Sequence, residues 1–180
     1  MTDWLVIAGD FTPLGGMDRA NHALAMHLSR QPGARVELVA HRVWPDLAGR
    51  PGVRVHTVPR PLGSHLLGAP LLAAAGERQA RRQGARHVIA NGGNAATGDV
   101  AWVHYLHAAH RPQAAGLRRR LQARAAYAYD RRNERRALVS ARLVLCNSRR
   151  TAADVQERLG IEPSRTRVVY YGSDPAGFAP

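Results

Sequence analysis

The 180-residue chain contains no lysine: all 26 of its Lys/Arg residues are arginine, set against 13 acids for a formal net charge of +13. That absence excludes several chemistries. A nucleotide-binding P-loop needs a lysine ammonium to reach the phosphates, and Schiff-base aldolases and pyridoxal-phosphate enzymes need a lysine amine as covalent partner. Cysteine is almost as scarce. Cys146, the only one, lies in the apolar run Leu143-Val144-Leu145-Cys146 and can form neither an internal disulfide nor a thiolate cluster, which points to a reducing compartment. Its surroundings read as a buried strand, with no neighbour to lower the thiol pKa. No run approaches the roughly 18 apolar residues of a membrane span. The N-terminal apolar stretch is too short for a signal peptide and has Asp3 before it. A cytoplasmic protein is therefore expected.

What is present reads as one globular domain. Hydrophobic residues make up 45% and charged residues 22% of a length that suits a single core. Ala and Arg crowd the chain throughout, as a G- and C-rich coding sequence produces, so the arginine excess alone carries no functional message. Short apolar runs alternate with longer helical stretches, the pattern of βαβ units around a parallel sheet. Strands are predicted at 4–8, 36–40, 53–58 (nearer an edge), 87–90, 101–106, 143–146 and 168–171. Helices are predicted from the turn at Gly15-Gly16 to about residue 31, and over about 65–83, 113–140 and 149–159. The first helix shows Ala20, Leu24 and Leu28 at intervals of four with Ala23 and His27 beside them. The fold class is α/β, a Rossmann-like doubly wound and mainly parallel sheet over residues 1–171. Ligands are expected where strand C-termini meet helix N-termini, and 172–180 reads as a linker.

Three features carry chemistry. Gly15-Gly16 falls between the first strand and its helix, where unpaired N–H groups and the positive dipole end suit a phosphate or carboxylate. It does not spell G-x-G-x-x-G, and a flexible strand-to-helix turn is the plain alternative. His104, His107 and His110 are spaced by three, which suggests a metal site only on a helix; on a strand His104 and His107 face opposite ways. With no acid or cysteine in the run, a strand-end histidine facing a ligand crevice is preferred, and no metal is expected. Between Arg111 and Arg136 lie nine arginines and two acids, Asp130 and Glu134, a local net of +7. On a helix, Arg120, Arg124, Tyr127 and Arg131 form a basic stripe. Leu117, Leu121, Ala125 and Ala128 form an opposing apolar stripe that fails at Arg132 and Arg135, where a bend or a change of partner is expected. Such a face suits anionic lipid headgroups or simply water; nucleic acid is disfavoured, since no binding module or set of stacking aromatics accompanies the charge.

With these pieces in order, the chain resembles the N-terminal domain of GT-B glycosyltransferases, in particular the family 4 group of retaining enzymes that use nucleotide sugars. The resemblance rests on Phe11-Thr12-Pro13-Leu14-Gly15-Gly16-Met17-Asp18, on His104-Tyr105-Leu106-His107, and on Cys146-Asn147-Ser148-Arg149 followed by Tyr171-Gly172-Ser173-Asp174 and Phe178-Ala179-Pro180. It implies that Gly15 and Gly16 approach the donor diphosphate and that His107, with His104 as its rival, faces the transferred sugar. It also implies that Met17, Asp18, Asn91 and Arg149 line the acceptor side. No metal or other cofactor is implied, the nucleotide sugar being a co-substrate and the acceptor a sugar, lipid or small molecule. The resemblance further implies a hinge at 172–180 leading to a second, nucleotide-binding domain that this sequence does not contain, without which no turnover is expected. The competing reading is a non-catalytic basic module that docks on an anionic membrane or polyanion through Arg120, Arg124 and Arg131, peripheral on the inner face of the membrane.

Overall fold

The computed structural model describes residues 2–83, 87–109 and 116–172. Seven parallel strands form one sheet: β1 (Thr2–Ile7), β3 (Ala34–Ala40), β5 (Val53–Thr57), β6 (His87–Asn91), β7 (Val100–Val103), β8 (Leu143–Cys146) and β9 (Thr166–Val168). Their order is β5-β3-β1-β6-β7-β8-β9, and a small pair, β2 (Asp10–Phe11) with β4 (Arg42–Val43), extends the C-terminal end of the sheet. The Rossmann-like class is thus observed. Strand succession runs outward from β1 in one direction and then, from β6, in the other. The switch point between β1 and β6 opens a crevice beyond their C-terminal ends.

Continuous apolar runs form these strands because both faces of the sheet are covered. Leu5 and Ile7 of β1 pack with Val88, Ala90 and Leu72, the last from α3 (His65–Gln83). Val6 and Ala8 turn the other way, onto Ala25 and Leu28 of α1 (Met17–Ser29) and Leu47 of α2 (Pro45–Ala48). A third cluster joins β7 and β8 to Leu138 of α4 (Leu117–Ser140) and to Ala152 and Val155 of α5 (Arg149–Leu159). Cys146 is fully buried in it, and burial pushes its thiol up to about 11, as suits a packing residue. No helix among the described residues is long and apolar enough to cross a membrane.

Several expectations need correction. β7 ends at Val103, so His104 to Leu106 leave the sheet and His107–Ala109 form a 3-10 turn. β9 ends at Val168, which frees Tyr170 and Tyr171 from the ladder. The inward side of α1 carries Asn21, His22, Ala25 and Leu28, whereas Ala23 and His27 are exposed. The helix α4 is unbroken from Leu117 to Ser140, with no change of element at Arg132. Its predicted apolar stripe faces out at Leu121, Ala125 and Ala128; full burial begins only at Glu134 and continues at Ala137 and Leu138. The reason is that only the C-terminal half of α4 packs on the rest of the fold. His110, the helix start expected at 113 and the hinge motif at 173–180 lie outside the described residues.

One glycine decides how closely that half packs. A Cβ at Gly93, in the loop after β6, would meet the backbone N of Glu134 at 2.8 Å and its Cα at 3.0 Å. Backbone cannot yield as a side chain does. Gly93→Ala is expected to destabilise the fold by about 1–3 kcal/mol, an overpacking cost, read from the denaturation midpoint; an unchanged midpoint would show that α4 does not sit this tightly.

Candidate functional site

The crevice at the switch point holds a cavity of about 330 Å³. Its walls come from the loop after β6, the segment after β7, and the facing sides of α3 and α4. Of the residues singled out from the sequence, Met17, Asn91, His104 and His107 line it together. Gly15, Gly16, Asp18 and Arg149 are not among its lining residues.

A chain of hydrogen bonds under the crevice has a direction that can be worked out. Asn21 donates its amide to the carbonyl of Asp10 (3.3 Å), an atom that only accepts. The Asn21 carbonyl oxygen is thereby left to accept from Asn91 Nδ2 (2.7 Å), and the second hydrogen of Nδ2 points to His104 Nε2 (2.9 Å). Nε2 must then carry the lone pair. The ring proton sits on Nδ1 and is donated to the Tyr171 hydroxyl. Protonating Nε2 would set two N–H groups against each other, and burial alone pushes the His104 pKa down to about 4. His104 is a neutral imidazole with a fixed tautomer.

His107 is its electrostatic opposite. Its Nδ1 donates to Glu134 Oε1 (2.9 Å), and its backbone N–H reaches the same carboxylate (3.0 and 3.1 Å). Nε2 meets the Tyr105 hydroxyl at 2.9 Å and lies 3.8 Å from Asp130 Oδ2. Burial opposes the charged ring, but the Glu134 hydrogen bond and the charges of Glu134 and Asp130 outweigh it and raise its pKa. Asp130 also takes a 2.8 Å bond from His65 Nε2, so one carboxylate stands between two histidines. Tyr105 stays a phenol, its pKa raised by burial and by both carboxylates.

Glu134, only 2% exposed, and Asp130 were counted in the sequence merely as acids within a basic segment. Their spacing held the signal. Ala126, Asp130, Glu134 and Leu138 form one i, i+4 row that ends in the core, so the two acids belong to the inward face. Tyr171 and Asn21 gave no such signal, because their partners are distant in sequence.

The other predicted residues have definite places. Gly15 adopts φ +79°, which suits glycine, and Gly16 caps α1 without a side-chain bond; a Cβ on either would meet open space. The N–H groups of the first turn of α1 follow directly. Asp18, in that turn, has its pKa raised by burial and by Asp10, while Arg42 and Arg60 pull it the other way. Ser148 caps α5 by accepting from the Thr151 N–H (3.1 Å), and Arg149 is exposed at the first helical position. Arg120, Arg124 and Arg131 are all exposed on α4, with the Arg131 guanidinium 5.6 Å from the Tyr127 ring centre. No group of three or more His, Cys, Asp or Glu side chains among the described residues is arranged to hold a metal ion.

The two histidines should titrate apart, His104 near 4 and His107 above 6.5, read from their ring NMR signals. Asn91→Asp removes the donor to Nε2 and should raise the His104 value by at least about one unit. Stability follows the signs. The His107 contribution is complete below about 6.5 and is lost as pH rises through its raised folded value. His104 costs stability as pH falls from about 6.5 towards 4, because only the unfolded chain takes up that proton there. Glu134→Gln should lower the His107 pKa and flatten the alkaline loss; a His107 pKa that does not move would break the assigned pairing.

Comparison with known proteins agrees with this fold. A search of curated proteins returned no match. Among solved structures, the chain superposes with a TM-score of 0.68 on WaaG, a glycosyltransferase involved in lipopolysaccharide biosynthesis, at 18% sequence identity. The match covers 96% of this chain and 46% of that one, so the chain spans about half the length of the structure it resembles. The sequence model of Glycosyltransferase Family 4 matches residues 14–176, from the loop before α1 to beyond β9. The chain belongs to Glycosyltransferase Family 4.

Proposed function

We propose that this chain forms the acceptor-side half of a retaining glycosyltransferase that moves a sugar from a nucleotide-diphospho-sugar to an acceptor hydroxyl, and that a second domain holds the nucleotide. The observation that carries the reading is the cavity at the switch point, lined by Met17, Asn91, His104 and His107, in a family 4 fold. In the transfer the bond from the anomeric carbon to the diphosphate oxygen breaks, a bond to the acceptor oxygen forms, and the acceptor proton departs with the nucleoside diphosphate. Charge grows on the leaving diphosphate. The N-terminus of α1, reached through Gly15 and Gly16, offers N–H groups and a positive dipole end to that charge.

The partners of the two rings favour His107 over His104 as the group facing the transferred sugar. Nε2 of His104 is tied to the amide of the buried Asn91. Nε2 of His107 instead meets the Tyr105 hydroxyl, and both residues line the cavity. Glu134 then positions His107 and fixes its ring. Met17, Asn91, Asp18 and Arg149 belong to the acceptor side in this reading, and no metal takes part.

Joined to its nucleotide-binding half, the chain is expected to release nucleoside diphosphate from a nucleotide sugar. His107→Ala should lower kcat by about 10²-fold or more, the size of a lost transition-state contact, with a smaller effect for His104→Ala. Turnover by the 180-residue chain alone, or none by the joined halves with any nucleotide sugar, would overturn the reading.

A second reading concerns where the enzyme works. Along α4, Arg119, Arg120, Arg124, Arg131 and Arg132 face solvent, together with Leu121 at 57% exposure. We infer that this face rests on an anionic bilayer, with Leu121 entering the headgroup region. Vesicles containing phosphatidylglycerol should sediment the chain and phosphatidylcholine vesicles should not, with binding lost on adding about 0.5 M salt, where screening is short-ranged. Replacing Arg120, Arg124 and Arg131 together by Glu should abolish it; salt-insensitive binding would count against the reading.

A further inference from the structure

The distribution of charge within the crevice says which acceptors fit it. The chain carries 26 arginines and a net charge of +13, yet among the described residues no arginine lines the cavity. Its charged walls are Asp130 and Glu134, with His65 and His107 bonded to them. The helix α4 makes the separation: Asp130 and Glu134 point inward, while Arg131, Arg132, Arg135 and Arg136 are exposed. Arg136 is held outside by an ion pair with Glu77. The remaining polar lining consists of amides and phenols, among them Asn91, Asn94, Asn133, Tyr105 and Tyr129. Amides donate and accept hydrogen bonds as sugar hydroxyls require, and phenol rings offer an apolar face to sugar C–H groups.

We propose, on the basis of the acceptor assignment above, that this cavity takes an uncharged or amine-bearing polyhydroxyl acceptor and rejects one that carries a phosphate or carboxylate. Within the cavity an anionic group would lie beside Asp130 and Glu134, whose histidine partners are already engaged with them, and no lining guanidinium would receive it; like charges brought together at a recognition site are a strong means of exclusion. An ammonium would meet the same carboxylates favourably. Neutral hydroxyls can donate to Asp130 and can both donate to and accept from the amides.

Three ligands of one ring and different charge test this: glucose, glucosamine and glucose 6-phosphate, titrated into the 180-residue chain while the ring signals of His65, His104 and His107 are followed by NMR. Glucosamine is expected to bind about threefold or more tighter than glucose, and glucose 6-phosphate at least about tenfold weaker. Asp130→Asn should bring the three affinities within about threefold of one another. In the unaltered chain the differences should shrink on adding salt, which gives a second measurement independent of that variant's folding. Glucose 6-phosphate binding as tightly as glucose, with the histidine signals shifting, overturns the charge rule and leaves the glycosyltransferase reading intact. No shift of these signals by any of the three overturns both the charge rule and the acceptor assignment.

Discussion

The crevice depends on a polar chain that can run in one direction only. It begins at the Asp10 carbonyl, which cannot donate, and that constraint sets the amide orientation of Asn21, then of Asn91, then the tautomer of His104. Asn21 and Asn91 are both buried, where an unpaired amide would cost about 1–3 kcal/mol, so neither can reverse without leaving a partner unmet. The chain joins β2, the helix α1, the end of β6, the segment after β7 and Tyr171 beyond β9. Parts of the chain far apart in sequence are thereby held at one end of the sheet.

The second constraint is the closeness of α4 to the loop after β6. Gly93 lets the Asn133–Glu134 backbone come within the space a Cβ would occupy, and that approach delivers the Glu134 carboxylate to the His107 backbone and ring at once. The two histidines consequently diverge. His104 is buried among neutral groups and stays uncharged; His107, a few residues on, sits between two carboxylates and holds its proton more tightly. The end of β7 at Val103 makes this possible, since a strand running on to Leu106 would have sent the two rings to opposite faces.

Much of the fold was legible because a doubly covered parallel sheet leaves a strong trace. Runs such as Trp4 to Ala8 and Leu143 to Cys146 are apolar without interruption, and the turns between them carry glycine or proline. The ends of elements were less legible, since β7 and β9 stop where ladder partners stop, not where apolar residues do. The outer half of α4 was misread for a related reason. Leu121, Ala125 and Ala128 look like a buried stripe, but a stripe is buried only where something lies beneath it. Within the site, the histidines stood out by type and spacing. The spacing of Glu134 and Asp130 gave only an inward-facing row, because the partners that give them meaning, His107 and His65, lie 27 and 65 residues away in sequence.

Charge acts on two length scales in this molecule. The net +13 is carried mainly by exposed arginines, whose field reaches about 8 Å at physiological ionic strength and draws anions towards the surface as a whole. Inside the crevice that field is displaced by nearer groups, since a carboxylate a few ångströms away outweighs guanidiniums on the far side of a helix. One helix produces both effects, because α4 keeps its acids on the inward row and its arginines outside. Under the proposed function, in which the donor is a nucleotide-diphospho-sugar, the separation would have a use. On that reading the outer charge would raise the local concentration of the donor, the α1 N-terminus would offer its N–H groups to the diphosphate, and the carboxylates of the cavity would keep the phosphates out of the acceptor's place.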